Sequence, residues 1–262
     1  MTVHVDISER IATVTLDRPP VNALSAETMR ELTSVFRELD GDRRVSVIVL
    51  RATGEKVFCA GADINDSERR YAEGASADTA ATDLIDPGRV ARECFMAVYE
   101  CSVPVISAVQ GFALGAGLAL IACTDIIIAS ERARFGLPEI TVGVLGGGRF
   151  LQRLVGVAKM RAMFFTGRQV DAAELYRLGA IEQVVDHDRL EEVALEYARE
   201  IAGKSPIGLR LGKISITRAE SLSVPDGYRL EQDYTAKVSG YEDAREARDS
   251  WREKREPDWK WR

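Results

Sequence analysis

The segment GFALGAGLALIACTD, Gly111 to Asp125, is apolar enough to be buried, yet it carries three glycines within seven residues: Gly111, Gly115 and Gly117. Glycine weakens helix interiors and strands, so such a run inside an apolar segment needs a physical reason. Two readings compete. Either the glycines permit close packing of a core element, or they mark a turn where backbone approaches a ligand. The flanks narrow the setting: PVISAVQGFAL before the glycines and DIIIAS after them both read as strand. The glycine-rich element therefore lies where a strand gives way to a short helix.

Working outward, the chain opens with alternation. VHVDISERIATVTLD contains two β-rich runs, Val3–Ile7 and Ile11–Leu16, joined at SER, the pattern of a hairpin. Ser25 stands as N-cap before AETMRELTSVFRELD, where Met29, Leu32, Val35, Phe36 and Leu39 recur at helical spacing. VSVIVLRA is a buried strand. This ββαβ start predicts an α/β fold. Residues 65–88 are polar and small-residue-rich and read as a mobile loop or frayed helix. PGRVARECFMAVYEC returns to helix, and after ARFGLPEITVGVLGGG the chain reads as mainly helical to its end. The division expected is an α/β core over 1–195 and a helical region over 196–262 that packs on the core or on another subunit.

Composition sets limits. The chain has 262 residues, 46% hydrophobic and 29% charged, with a net charge of -6. That balance does not favour nucleic acid or an anionic membrane as partner. No early segment combines a charged start, a long apolar run and a small-residue cleavage site, so a secretory signal is not expected. The apolar run within 111–129 is broken by Asp125 and by four residues of threonine or glycine, which argues against a membrane span. Cys59, Cys94, Cys101 and Cys123 show no CxxC spacing, and His4 and His187 are the two histidines. No metal site is expected; the thiols read as buried and reduced in a cytoplasmic protein.

A second segment pairs with the first. EKVFCAGADIND, Glu55 to Asp66, also follows a strand and places Ala60, Gly61 and Ala62 at a helix entrance. Unpaired N–H groups point outward at such an entrance, and small side chains let an anion or a polarised oxygen reach them. Two converging turns of this kind make an oxyanion hole. Either segment alone reads equally as tight helix–strand packing. A third segment, ARFGLPEITVGVLGGGRFLQRL, carries Glu139 after Pro138 in mostly apolar surroundings. A carboxylate there tends to a raised pKa suited to acid–base work, although a glutamate on a surface turn fits the same residues.

Together, NALS, VFCAGADI, PVISAVQGFALGAG, CTDIIIASERARFGLPEITVG and AREARDSWREKREPDW resemble the enoyl-CoA hydratase/isomerase, or crotonase, superfamily, in order and spacing over nearly the whole chain. The resemblance implies a right-handed spiral of ββα units with two roughly perpendicular sheets and a helical C-terminal region, assembled as a homotrimer or a dimer of trimers. It implies an acyl-CoA thioester as substrate, with CoA bound as part of that substrate and no other tightly held cofactor. The oxyanion N–H groups would be those of Ala62 and Ala116, and Glu139 would be the acid/base. Lys56, Ala60, Asp63 and Ile64 would lie at the CoA nucleotide, with Trp251 and Lys254 reaching CoA from the tail. The chain departs from the pattern twice. The first of the two hydratase glutamates is replaced by Ala119, which puts a standard two-glutamate hydration in doubt. A single base still suffices to move a proton between carbons alpha and gamma to the thioester, or to serve hydrolytic C–C cleavage of a cyclic or β-oxo acyl-CoA; loss of catalysis with retained acyl-CoA binding is the third possibility. Near the acyl pocket, Arg149 and Phe150 stand in place of two glycines. Arg149 there would recognise a carboxylate or carbonyl on the acyl group, or else point outward from a helix start, and the Gly147 N–H would orient Glu139.

Overall fold

The computed structural model describes residues 1–64 and 81–262; residues 65–80, most of the loop expected at 65–88, lie outside them. Strands β1 (Val3–Ser8) and β2 (Ile11–Leu16) form the expected antiparallel hairpin. Its two-residue turn puts both Glu9 (φ 51) and Arg10 (φ 67) in the left-handed region, the geometry that suits the right-handed twist of paired strands. Helix α1 (Ala26–Gly41) starts at Ser25, whose side chain accepts a hydrogen bond from the Thr28 N–H. Its periodic residues Met29, Leu32, Val35, Phe36 and Leu39 are buried. Strands β3 (Val47–Ala52) and β4 (Val57–Cys59) follow, then α2 (Ala81–Ile85) and α3 (Arg89–Tyr99).

The long apolar stretch 104–114 is two strands rather than one. β5 (Val105–Val109) and β6 (Phe112–Leu114) are separated at Gln110-Gly111 and belong to different sheets. Gln110 holds the break, its side-chain amide donating to the carbonyls of Ala52, Gly54 and Val57. Helix α4 (Ala116–Ile121), β7 (Ile126–Ser130) and β8 (Arg134–Gly136) complete the site-bearing part. One sheet runs β1-β2-β3-β5-β7-β10 and the other β4-β6-β8-β9, where β9 is Val170–Asp171 and β10 is Gln183–Val185. The first sheet buries a large cluster, including Val14, Leu16, Ile48, Leu50, Leu118 and Leu120, on one side. On its other side Val47, Val49, Ile106 and Ile128 pack under a helix near the C-terminal third.

The expectation of an almost purely helical ending is corrected by β9 and β10. Each has two or three residues, too few for a periodicity, and each exists because a distant strand pairs with it: β8 with β9, β7 with β10. The remaining elements are α5 (Gly148–Thr166), bent at Gly156 (φ 74), α6 (Ala172–Arg177), α7 (Leu190–Ala202), α8 (Pro206–Ala219), α9 (Val224–Ser239) and α10 (Glu242–Glu253). Residue 195 lies inside α7, whose Val193, Ala194 and Ala198 pack on the first sheet. The next helix, α8, is also tied to the core, Lys213 donating to Val103 O at 3.0 Å and pairing with Asp125 at 2.7 Å.

Candidate active site

Strands β4 and β6 are parallel neighbours, with Val57 opposite Phe112 and Cys59 opposite Ala113. The turns leaving their C-terminal ends therefore lie side by side. A Cβ placed on Gly61 would sit 3.2 Å from the Leu114 carbonyl oxygen and 3.6 Å from the Ala116 nitrogen. The first turn is laced to the 18–24 segment. Ala60 N–H donates to Val21 O (3.0 Å), Leu24 N–H to Gly61 O (2.8 Å) and Asp63 N–H to Leu24 O (3.0 Å). Arg18 pairs with the Asp63 carboxylate at 2.6 Å and also donates to Ala23 O. Between these bonds the Ala62 N–H finds no acceptor among the described residues, and neither does the Ala116 N–H at the head of α4. The two candidate oxyanion donors are thus adjacent and unpaired.

The three glycines of the opening segment do different work. Gly111 lies against the Lys56 carbonyl, where no side chain fits. Gly117 lies on Cys59, with a Cβ there falling 2.5 Å from the Cys59 carbonyl oxygen and 2.9 Å from its sulfur. Close packing explains both. Gly115 is the different one: it adopts φ 54, ψ -122, a conformation that strains an L side chain, and its Cα faces Glu139.

Glu139 is delivered by pairing. Leu114 of β6 is opposite Gly136 of β8, and the Gly115 N–H donates to Gly136 O at 2.9 Å. The chain then turns through a 3-10 segment, Pro138–Val142, which aims the Glu139 carboxylate at Gly115. A Cβ on Gly115 would meet Glu139 Oε1 at 2.7 Å. The Oε2 atom is buried and has no hydrogen-bond partner among the described residues. Burial pushes the Glu139 carboxyl above the usual carboxylate range, against the smaller lowering effect of its own backbone N–H. Ala119, one turn into α4, is 2% exposed, and its side chain offers no polar atom.

Lys56, Ala60, Ala62 and Ile64 are exposed along the mouth of the first turn, and Asp63 is half-buried in its pair with Arg18. Phe150 packs edge-on against Phe95, their centroids 5.3 Å apart. Gly147 (φ 72) seats on Leu137, and no hydrogen bond joins its N–H to Glu139. Arg149 is exposed and within electrostatic reach of Tyr99 and Glu220, which bond to each other at 2.9 Å. Trp251 is 79% exposed, and Lys254 ends α10 in the left-handed region. Among the described residues no interaction brings either of them to Lys56 or Ala62. The tail beyond them is tied elsewhere, Trp259 to Gly203 O and Trp261 over the guanidinium groups of Arg43 and Arg210. Arg18 was not legible as a site residue. The bond to Asp63 spans 45 positions, and a lone arginine before two prolines carries no signal of it. Among the described residues no cluster of His, Cys, Asp and Glu suits a metal ion, and no helix is long and apolar enough to cross a membrane.

The enoyl-CoA hydratase/isomerase family model matches residues 6–262. The chain belongs to this family. Its fold is the crotonase fold: an enoyl-CoA hydratase structure from Bacillus anthracis superposes with a TM-score of 0.90 at 31% identity, covering 100% of both chains. Among curated relatives, the chain is 40% identical over 241 residues to the (7aS)-7a-methyl-1,5-dioxo-2,3,5,6,7,7a-hexahydro-1H-indene-carboxyl-CoA hydrolase of Mycobacterium tuberculosis, covering 92% of this chain and 94% of that one. It is 34% identical to the short-chain-enoyl-CoA hydratase of Clostridium acetobutylicum, covering 94% and 92%.

Proposed function

We propose that this family member binds an acyl-CoA thioester with its carbonyl oxygen between the N–H groups of Ala62 and Ala116, and that Glu139 is the single acid/base. One observation carries the reading: the Glu139 carboxylate lies on Gly115, one residue from the Ala116 N–H, with a buried oxygen that no group among the described residues satisfies. The N–H pair stabilises the charge that gathers on the thioester oxygen when a proton leaves the alpha or gamma carbon. Glu139, made more basic by burial, takes that proton and returns it at the other carbon. Alanine at 119 supplies no carboxylate from that position to fix a water, so proton movement within the acyl chain is favoured over standard hydration. Lys56 and the backbone from Ala60 to Ile64 supply the nucleotide end of CoA, and Trp251 and Lys254 reach it from a neighbouring subunit of a homotrimer or a dimer of trimers. The exposed apolar side chains Ile216, Val224 and Tyr228 on α8 and α9 are consistent with such a contact. A cytoplasmic setting fits four buried free thiols.

A second reading draws on the relative whose name describes hydrolysis of a dioxo, ring-bearing acyl-CoA. There Glu139 would take a proton from water attacking a ring ketone. The ring C–C bond would break to a thioester enolate held by Ala62 and Ala116, and Glu139 would protonate its carbon. A panel of 2-enoyl-, 3-enoyl- and cyclic β-oxo-acyl-CoAs, with products weighed by mass spectrometry, separates the two. A shifted double bond without mass change supports isomerisation; a gain of one water with ring opening supports hydrolysis. No turnover of any member, with CoA still bound, leaves the non-catalytic binder.

A further inference from the structure

The geometry points to Cys59 as the positioning residue that couples the two donor turns. This rests on the oxyanion reading above and names a residue that the reading does not use. The Cys59 thiol donates to the Gly61 carbonyl oxygen at 3.8 Å, and the Leu24 N–H donates to the same oxygen at 2.8 Å. A carbonyl oxygen has two lone pairs, so Gly61 O is fully engaged. The Gly61 carbonyl and the Ala62 N–H belong to one planar trans peptide and point in opposite directions. Two donors on the carbonyl side therefore fix the plane on which the candidate oxyanion N–H is carried. They also polarise it, because hydrogen bonds in series strengthen one another. Gly61 adopts φ 116, a backbone conformation open to glycine and strained for any L side chain.

The same side chain holds the second turn. Gly117, one residue beyond Ala116, sits directly on Cys59, so close that a Cβ would fall 2.7 Å from the cysteine Cβ. One residue thus touches the peptide that carries the first donor and seats the helix start that carries the second. Its thiol is fully buried, and burial pushes it up to about 12, so it remains an S–H donor at any working pH. Cysteine suits this place because a larger side chain would lift α4 at Gly117, while alanine would leave Gly61 O with one donor.

The test uses butanoyl-CoA on the full-length protein with three readouts. These are exchange of its alpha protons for deuterium in D2O by NMR, the carbonyl stretch of the bound thioester labelled with 13C, and the dissociation constant. Cys59→Ala is expected to slow exchange about ten-fold, less than the roughly 10²–10³-fold loss on deleting an oxyanion donor outright. The carbonyl band should move back toward its solution position, while affinity stays within about two-fold. Cys59→Ser, which restores a donor, should recover both rate and band. Unchanged exchange and band position in Cys59→Ala overturn the proposal. If Cys59→Ala melts below the assay temperature, Cys59→Ser against wild type still decides. The stronger hydroxyl donor should shift the band at least as far as the thiol does, and a smaller shift overturns the proposal. A wild-type protein that neither exchanges nor shifts the band removes the oxyanion reading itself, and the role of Cys59 with it.

Discussion

The two turns that meet at the site are alike in sequence and opposite in construction. The Ala60–Ile64 turn lies open, with Ala60, Ala62 and Ile64 exposed, and is held by hydrogen bonds to the 18–24 segment and by the Arg18–Asp63 pair. The Gly115–Gly117 turn is held by packing. It leads into α4, whose Leu118, Leu120 and Ile121 are fully buried, and its glycines sit against Glu139 and Cys59. A turn braced by hydrogen bonds can stay open to a large ligand because its support comes from one side. A turn braced by packing keeps a carboxylate and a donor in fixed relation because nothing around it can yield. On the proposed reading, the open first turn admits the ligand and presents one donor, and the packed second turn holds the other donor beside the acid/base.

The largest expected effect tests the chemistry. Glu139→Gln keeps shape and removes basicity, so turnover on whichever thioester proves active should fall roughly 10²–10⁴-fold, mainly in kcat. Steady-state kinetics beside CoA calorimetry checks this, and unchanged turnover would move the chemistry away from the second turn. Next in size, Gly117→Ala and Gly111→Ala each force a Cβ into backbone and should cost about 1–3 kcal/mol in denaturant titrations. Ala119→Glu places a carboxylate at a position 2% exposed and should cost a similar ~1–3 kcal/mol without adding 2-enoyl-CoA hydration. A gain in hydration would instead show a hydratase site lacking only that group.

The first turn should respond more mildly. Arg18→Ala removes a half-buried ion pair and should cost about 1 kcal/mol or less, with KM rising and kcat held. A loss as large as that of Gly117→Ala would erase the contrast between the turns. The smallest effect is on pH dependence. Because the folded Glu139 carboxyl is raised above its unfolded value, its burial costs stability once it ionises. That cost is absent below the ordinary carboxylate pKa, grows as pH rises toward the raised value, and is constant beyond it. Glu139→Gln should therefore melt slightly higher than wild type at neutral pH, and the gap should close on acidification. A gap independent of pH would contradict a desolvated carboxylate.

The sequence by itself determined what depends on near neighbours. Ser25 as a cap, the α1 stripe from Met29 to Leu39, the hairpin and the buried strands follow from spacings of two to four residues. Glu139 and the two small-residue turns were also visible there, because proline, glycine and a lone carboxylate in apolar surroundings are local signals. Only the tertiary structure separated the three glycines by cause. Gly111 answers to Lys56, Gly117 to Cys59 and Gly115 to Glu139, and each partner lies 24 to 58 positions away. The same holds for β9 and β10, for the Arg18–Asp63 pair, for the exposed Arg149 and for the thiol beneath Gly61. Periodicity and propensity report what a residue does to its own turn of chain. Contacts between distant segments are set by how the two sheets place them, and a single chain of letters carries no measure of that distance.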